Sequence, residues 1–390
     1  MVRVGVPREI TPGETRVALI PETVGRLVKA GFEILVEAGA GAAAGHEDSS
    51  YTAAGATVLT DARELYSRAD VILKVREPRA TAAGTHEVDL MKSGTVVIGF
   101  LDPARNAELL SRCAAHGVTA LSMELVPRTT RAQKMDALSS MSTVAGYKAA
   151  LLAADSIGKF FPLFMTAAGT IAPAKVFVLG AGVAGLQAIS TARRLGAVVE
   201  AFDIRPAVRD EVKSLGATFV GDELVSAEAV DKGGYAKEVG ADQQARIREL
   251  THKHCKAADV VITTANVPGR RAPVLVTAPM VADMKPGSVI VDMAAETGGN
   301  CELTQPGKTV VANGVTIAGP LDLVTRLPVH ASQMYSRNIA ELLKNIVTKE
   351  GALKIDLQDD ITGECCVTHA GKVLKGAGAP TPAPAAAATT

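Results

Sequence analysis

Three glycines, Gly180-x-Gly182-x-x-Gly185, stand between a short apolar run, Val176 to Leu179, and a helix-forming stretch that ends at Gly196. A second strand-like run, Val198 to Phe202, follows and closes on an acid, Asp203. Residues of these types in this order can hold a diphosphate and a sugar. Gly180 permits a tight turn, Gly182 lets a pyrophosphate approach the backbone, and Gly185 lets the helix sit close on the strand. The helix N-terminus stabilises the phosphate charge. Asp203 can accept bonds from adenosine ribose hydroxyls and would repel a 2′-phosphate, so the expected nucleotide is NAD(H) rather than NADP(H). Val183, Ile204 and Arg205 beside this turn, and Thr264 and Ala265 after the apolar run Val260 to Thr263, are expected to line the same site. A second glycine run, Gly39-Ala-Gly41-Ala-Ala-Ala-Gly45, has its third glycine one place late and is followed by HEDSSY rather than an apolar helix. It is expected to be a loop.

Other clusters carry less. His252 and His254 lie two apart and so do not share a helix face. With Cys255 beside them they are expected to form a polar helix end, and no metal site is expected. The five cysteines include no C-x-x-C pair, and the adjacent Cys365 and Cys366 are assigned no chemistry. No secretory signal precedes the first strand, which points to reduced thiols and a cytoplasmic setting. No apolar run approaches the roughly 18 residues that span a bilayer, so direct membrane insertion is not expected. Lys+Arg and Asp+Glu each number 41. This neutral balance gives no support for a nucleic-acid partner.

The elements that must position these residues follow a βα rhythm. At 390 residues the chain suits two domains. Its small apolar residues and only 3% aromatics favour close helix–sheet packing. Strands are expected at Val2 to Val6, Phe32 to Val36, Val71 to Lys74 and Val96 to Phe100. A long helix is expected at about Leu138 to Ala154. A second series follows at Val176 to Leu179, Val198 to Phe202, Val260 to Thr263 and Val289 to Asp292, with a further strand at Val315 to Ile317. A helix at Ser336 to Val347 has no strand of this series to pair with and is expected to return to the first domain. The fold class is therefore α/β, with two Rossmann-like domains of mostly parallel sheet and a discontinuous first domain. The domains are drawn at residues 1–137 with 322–378, and at 138–321 for the nucleotide. Residues 379–390 are expected to be a disordered Ala/Pro tail.

Several segments are more distinctive. They are RVALIPE (Arg16 to Glu22), LKVREP (Leu73 to Pro78), MELVPRTTRAQKMDALSSMSTVAGY (Met123 to Tyr147) and GGYAKE (Gly233 to Glu238). TTANVPGRRAPVLV, MKPGSVIVDMAAETGGNCELTQPGK and ECCVTHAGK complete the set. Together they resemble the NAD(H)-binding alpha subunits of proton-translocating NAD(P) transhydrogenase, relatives of alanine dehydrogenase. The resemblance runs from Val2 to about Lys375.

The two relatives do different chemistry. Alanine dehydrogenases use an Arg and a Lys for the substrate carboxylate, a His as acid/base and an Asp facing the nicotinamide. Arg16 and Lys74 match the first pair. Phe100 stands at the His position and Glu296 at the Asp position. A dehydrogenase needs a base near the reacting carbon, and Asp102 could take that role only with a rearranged loop. The transhydrogenase resemblance implies instead that Arg128, Gln133, Asp136 and Ser139 hold the nicotinamide ring and ribose. Arg128 and Asp136 would fix their loop by charge-assisted bonding, and Tyr235 would belong to a loop that closes over bound nucleotide. It further implies NAD(H) in a cleft between the domains and a homodimer. The implied partners are a membrane-spanning subunit and a beta subunit whose domain holds NADP(H). The chain would then be peripheral to the inner membrane through those subunits. The alternatives are an alanine dehydrogenase-like amino-acid dehydrogenase and a non-catalytic NAD(H)-sensing module.

Overall fold

Apolar runs with no polar alternation suit strands covered on both faces, and parallel sheets are built of such strands. The computed structural model describes residues 1–225, 240–266 and 271–377. It divides into two units, Met1–Ser140 together with the chain from Pro328 onward, and Met141–Leu327. The expected α/β class with a discontinuous first domain holds.

The first unit opens with β1 (Arg3–Val6), β2 (Glu33–Glu37), β3 (Thr57–Leu59), β4 (Val71–Leu73), β5 (Val96–Gly99) and β6 (Thr119–Ser122), all paired in parallel. The second unit adds a hairpin, β7 (Phe164–Thr166) and β8 (Gly169–Ile171), whose residues are exposed. Its main sheet holds β9 (Lys175–Leu179), β10 (Val198–Phe202), β11 (Thr218–Phe219), β12 (Val260–Thr263), β13 (Val289–Asp292), β14 (Thr309–Ala312) and β15 (Val315–Ala318). The order is β11-β10-β9-β12-β13-β15-β14, and only β14 runs antiparallel. The order reverses between β9 and β12, and a crevice at such a switch point is where α/β sheets bind ligands.

The chain returns to the first unit as helix Pro328–Asn345. The sequence pattern puts its start at Ser336, because two things hide the first two turns. Proline is well suited to the first helical position, and the buried face carries Ser332, which accepts the Val17 N–H at 3.1 Å, and so breaks the apolar period. Beyond this helix, β16 (Cys366–His369) pairs antiparallel with β6, and β17 (Lys372–Val373) completes the eight-stranded sheet. Cys365 and Cys366 are fully buried there, and burial pushes their thiols up to about 12 and about 11. Gly39 to Gly45 holds only a three-residue 3-10 turn, Ala42–Ala44. Tyr235 and residues 379–390 lie outside the described residues.

Candidate nucleotide site

β9 runs straight into Gly180, whose φ of +93° side-chain-bearing residues rarely adopt. Gly182 caps helix Val183–Arg194 with extended backbone and no side chain, so no cap side chain takes the first-turn N–H groups. That is the arrangement a phosphate completes. Gly185 has a steric cause: a Cβ there would stand 1.9 Å from the Gly180 carbonyl oxygen. Val183, at the first helical position, is 41% exposed.

Asp203 follows β10 directly and is buried. Its Oδ1 accepts the N–H and Nε–H of Arg205, both at 2.9 Å, and its Oδ2 accepts Ala181 N–H at 2.8 Å and Arg205 Nη2 at 2.7 Å. The acid thus ties the end of the second strand to the glycine turn. A Cβ on Gly182 would lie 3.4 Å from Arg205 Nη2, so the guanidinium reaches across the bare glycine. Ile204 between them is half-buried. On the other side of β9, Thr264 Oγ1 donates to the Gly180 carbonyl at 2.9 Å. These residues meet the stereochemical needs of a dinucleotide: a helix start without a side-chain cap, a glycine beside it, and a carboxylate at the second strand.

Two residues not singled out from the sequence support this turn. Asn300, fully buried, accepts the Ala265 N–H at 3.0 Å and donates to the carbonyls of Ala265 and Pro273, both at 2.8 Å. Asp292 is also fully buried and accepts from Thr263 Oγ1, Ala294 N–H, Cys301 N–H and Thr304 Oγ1. The sequence signal for them is faint: an acid ending a strand, then Gly-Gly-Asn.

The candidates for the nicotinamide ring and ribose, Arg128, Gln133, Asp136 and Ser139, lie in the first unit. Arg128 and Gln133 are exposed, and Gln133 begins a 3-10 turn, Gln133–Met135. Asp136 precedes helix Ala137–Ser156 and accepts Ser139 N–H at 2.9 Å and Ser139 Oγ at 2.6 Å. Asp136 therefore works as a helix cap. The turn is anchored by Asn338, whose Nδ2 donates to the Lys134 carbonyl at 2.8 Å. His252 and His254 turn to separate partners, Asp283 and Glu200, and Cys255 is buried in the core.

Arg16 and Lys74 are buried and each holds an internal carboxylate. Arg16 Nη2 lies 2.6 Å from Glu14 Oε2, while Lys74 Nζ lies 2.8 Å from Glu87 and 3.5 Å from Glu9. Phe100 packs on Tyr335 at a ring distance of 5.3 Å. Asp102, in left-handed backbone at φ +47°, pairs with Arg105 at 2.6 Å. Glu296 is exposed.

The fold and glycine turn define a class of nucleotide-binding α/β proteins, and comparison with known proteins narrows it. Residues 5–145 match the family model for the N-terminal domain of alanine dehydrogenase/PNT, and residues 149–376 match the C-terminal domain. The chain belongs to the alanine dehydrogenase/PNT family, which implies NAD(H) binding. It is 46% identical over 379 residues to NAD(P) transhydrogenase subunit alpha of Cereibacter sphaeroides, covering 95% of this chain and 71% of the relative. Alanine dehydrogenase of Halomonas elongata is 33% identical over 80% of this chain and 79% of its own. Among solved structures, a transhydrogenase from Sinorhizobium meliloti superposes with a TM-score of 0.82 at 43% identity, covering 95% of this chain and 98% of that one. An L-alanine dehydrogenase superposes with a TM-score of 0.78 at 30% identity, covering 96% and 97%. Within the family the chain stands with the alpha subunits of NAD(P) transhydrogenase.

Proposed function

We propose that this chain is the NAD(H)-binding component of a proton-translocating transhydrogenase, working with an NADP(H)-binding domain on a beta subunit and with a membrane-spanning subunit. The single observation that carries the proposal is a complete dinucleotide turn in a chain without a base at the dehydrogenase position. Phe100 cannot carry a proton, Asp102 is paired to Arg105, and Arg16 and Lys74 already hold carboxylates of their own. Bound NADH would supply the hydride, which passes directly to NADP+ on the partner and releases no substrate proton. A missing histidine is then expected.

In this reading Gly182 and the first turn from Val183 receive the pyrophosphate, with Gly180 and Gly185 shaping the turn. Asp203 takes the adenosine ribose, which requires Arg205 to yield or share the carboxylate, and Ile204 lines that end. Thr264 and Ala265 line the nicotinamide half. By resemblance, Gln133 holds the nicotinamide ring or ribose, with Arg128, Asp136 and Ser139 keeping its segment in place and Tyr235 closing over the nucleotide. Direct transfer needs the two rings within about 3–3.5 Å, so the partner must reach the ring. No helix among the described residues is long and apolar enough to cross a membrane, and proton coupling is assigned to the partners, which would hold the chain at the inner membrane. A homodimer is supported by the apolar hairpin, where Met165 is 80% exposed, and by the exposed Phe160, Leu163 and Phe164 that lead into it.

The test is NADH oxidation in two mixtures, one with pyruvate and ammonium, the other with an NADP+ analogue and the NADP(H)-binding domain of a related transhydrogenase. Oxidation is expected only in the second. Turnover with pyruvate and ammonium would overturn the proposal, and so would NADH binding with no turnover in either. A narrower prediction concerns nucleotide choice. Asp203→Asn keeps an oxygen for Ala181 and removes the charge, so NADH should bind roughly tenfold more weakly and NADPH no worse. An unchanged ratio of the two dissociation constants would remove Asp203 from that role.

A further inference from the structure

We propose that Asn300 is a positioning residue for the nicotinamide half of the nucleotide site, acting through Ala265 without touching the nucleotide. The inference rests on the NAD(H) reading above. Asp203 at the end of β10 assigns the adenosine half to one side of β9. The other half must then cross the switch point and lie over the ends of β12 and β13. Thr264 and Ala265 are the first backbone beyond β12. Ala265 N lies 3.3 Å from where a Cβ on Gly180 would stand, and Thr264 Oγ1 is bonded to the Gly180 carbonyl at 2.9 Å. This short stretch is therefore set directly against the phosphate turn.

What sets it there is one carboxamide. Asn300 pairs with both polar groups of Ala265, accepting its N–H at 3.0 Å and donating to its carbonyl at 2.8 Å, and gives its other N–H to Pro273 at 2.8 Å. The job needs one acceptor and two donors on a short planar group. Aspartate cannot donate, serine cannot make all three bonds, and glutamine is one methylene too long. Asn300 itself cannot swing. Its own carbonyl accepts the N–H groups of Leu275 and Val276 at 2.8 and 2.9 Å. The next residue, Cys301, gives its N–H to buried Asp292 at 2.9 Å. A fully buried side chain whose hydrogen bonds go to backbone transmits position rather than binding substrate.

The test compares whole nucleotide with its adenosine portion. In Asn300→Ala, the dissociation constant for NADH should rise roughly tenfold, while that for AMP stays within about twofold of the unaltered chain. Equal weakening of both would mean a merely structural role, and no change in either would also overturn the proposal. Asn300→Asp keeps the acceptor and loses both donors, so it should separate NADH from AMP in the same direction, and it carries the test should the alanine variant fail to fold. On the unaltered chain, NADH should slow amide exchange at Ala265 and AMP should not. Equal protection by both ligands, or by neither, would overturn the inference without any variant. Failure of the unaltered chain to bind NADH would instead remove the nucleotide reading itself.

Discussion

Gly185→Ala should abolish measurable NADH binding, weakening it at least ~100-fold, and should destabilise the second unit by about 3 kcal/mol, the upper end of usual overpacking costs. The added carbon would sit 1.9 Å from the Gly180 carbonyl oxygen, which belongs to the backbone of the phosphate turn and cannot rotate aside. Relief requires helix Val183–Arg194 to move off β9, and Gly182 and the first-turn N–H groups would move with it. Gly182→Ala is the informative contrast. Its φ of −72° suits alanine, and its Cβ would meet only the tip of Arg205 at 3.4 Å. That variant should lose roughly 1 kcal/mol of stability or less, yet bind NADH at least ~10-fold more weakly, because the methyl group occupies the approach to the pyrophosphate. Denaturant unfolding and a fluorescence titration with NADH separate the two. If both variants lost binding only in proportion to stability, the glycines would be holding the fold and not the nucleotide.

That contrast explains how much of the site is legible in the sequence. Gly180, Gly182, Gly185 and Asp203 obey spacing rules within one βαβ unit, so local sequence is enough to read their roles. Strands β10, β12 and β13 match their expected limits for a related reason: each is short, rich in Val or Ile, or in Val with Phe, and followed or closed by a polar residue. Asn300 escapes notice because its meaning lies in bonds to Ala265, 35 residues away, and to Pro273, 27 away. No local pattern marks an asparagine as a clamp. The return helix is cut short for a similar reason. Ser332, Ser336 and Asn338 are buried and bonded to Val17, Ile20 and Lys134. Polar residues inside a helix face look like solvent until their distant partners are known. Strand β16 goes unread as well, since a pair of cysteines near a tail carries no hint of a strand between β6 and β17.

The same long-range logic governs the buried charges, and it makes Lys74→Met the most disruptive change expected in the first unit. Lys74 is fully buried, with Glu87 at 2.8 Å and Glu9 at 3.5 Å. Burial pushes the Glu9 carboxyl up, and the Lys74 charge is the main force holding it down. Burial also works against the Lys74 ammonium, but Glu9 and Glu87 together keep its pKa above the ordinary 10.5. Its contribution is thus fully present below about 10.5 and fades only as pH rises through that raised value. Removing the lysine leaves two buried carboxylates without their cation, at a cost of about 3–5 kcal/mol. In the variant the Glu9 carboxyl loses that cation and titrates, in the folded state, still further above the ordinary 4.5. Stability is then fully present below that value and is lost as pH rises through the raised one. The variant's unfolding midpoint should therefore fall more steeply than the parent's as pH rises above the ordinary carboxylate value of 4.5. Adding Glu9→Gln should restore some of the loss, because one carboxylate then remains instead of two. NADH affinity of the folded variant should stay within about twofold, since Lys74, Glu9 and Glu87 are buried on one another and none of them is assigned to the nucleotide. A Lys74→Met chain as stable as the parent at pH 8 would show that the lysine is not what holds these glutamates. Such a result would reopen the case for Lys74 as a ligand for an external carboxylate, and with it the amino-acid dehydrogenase reading.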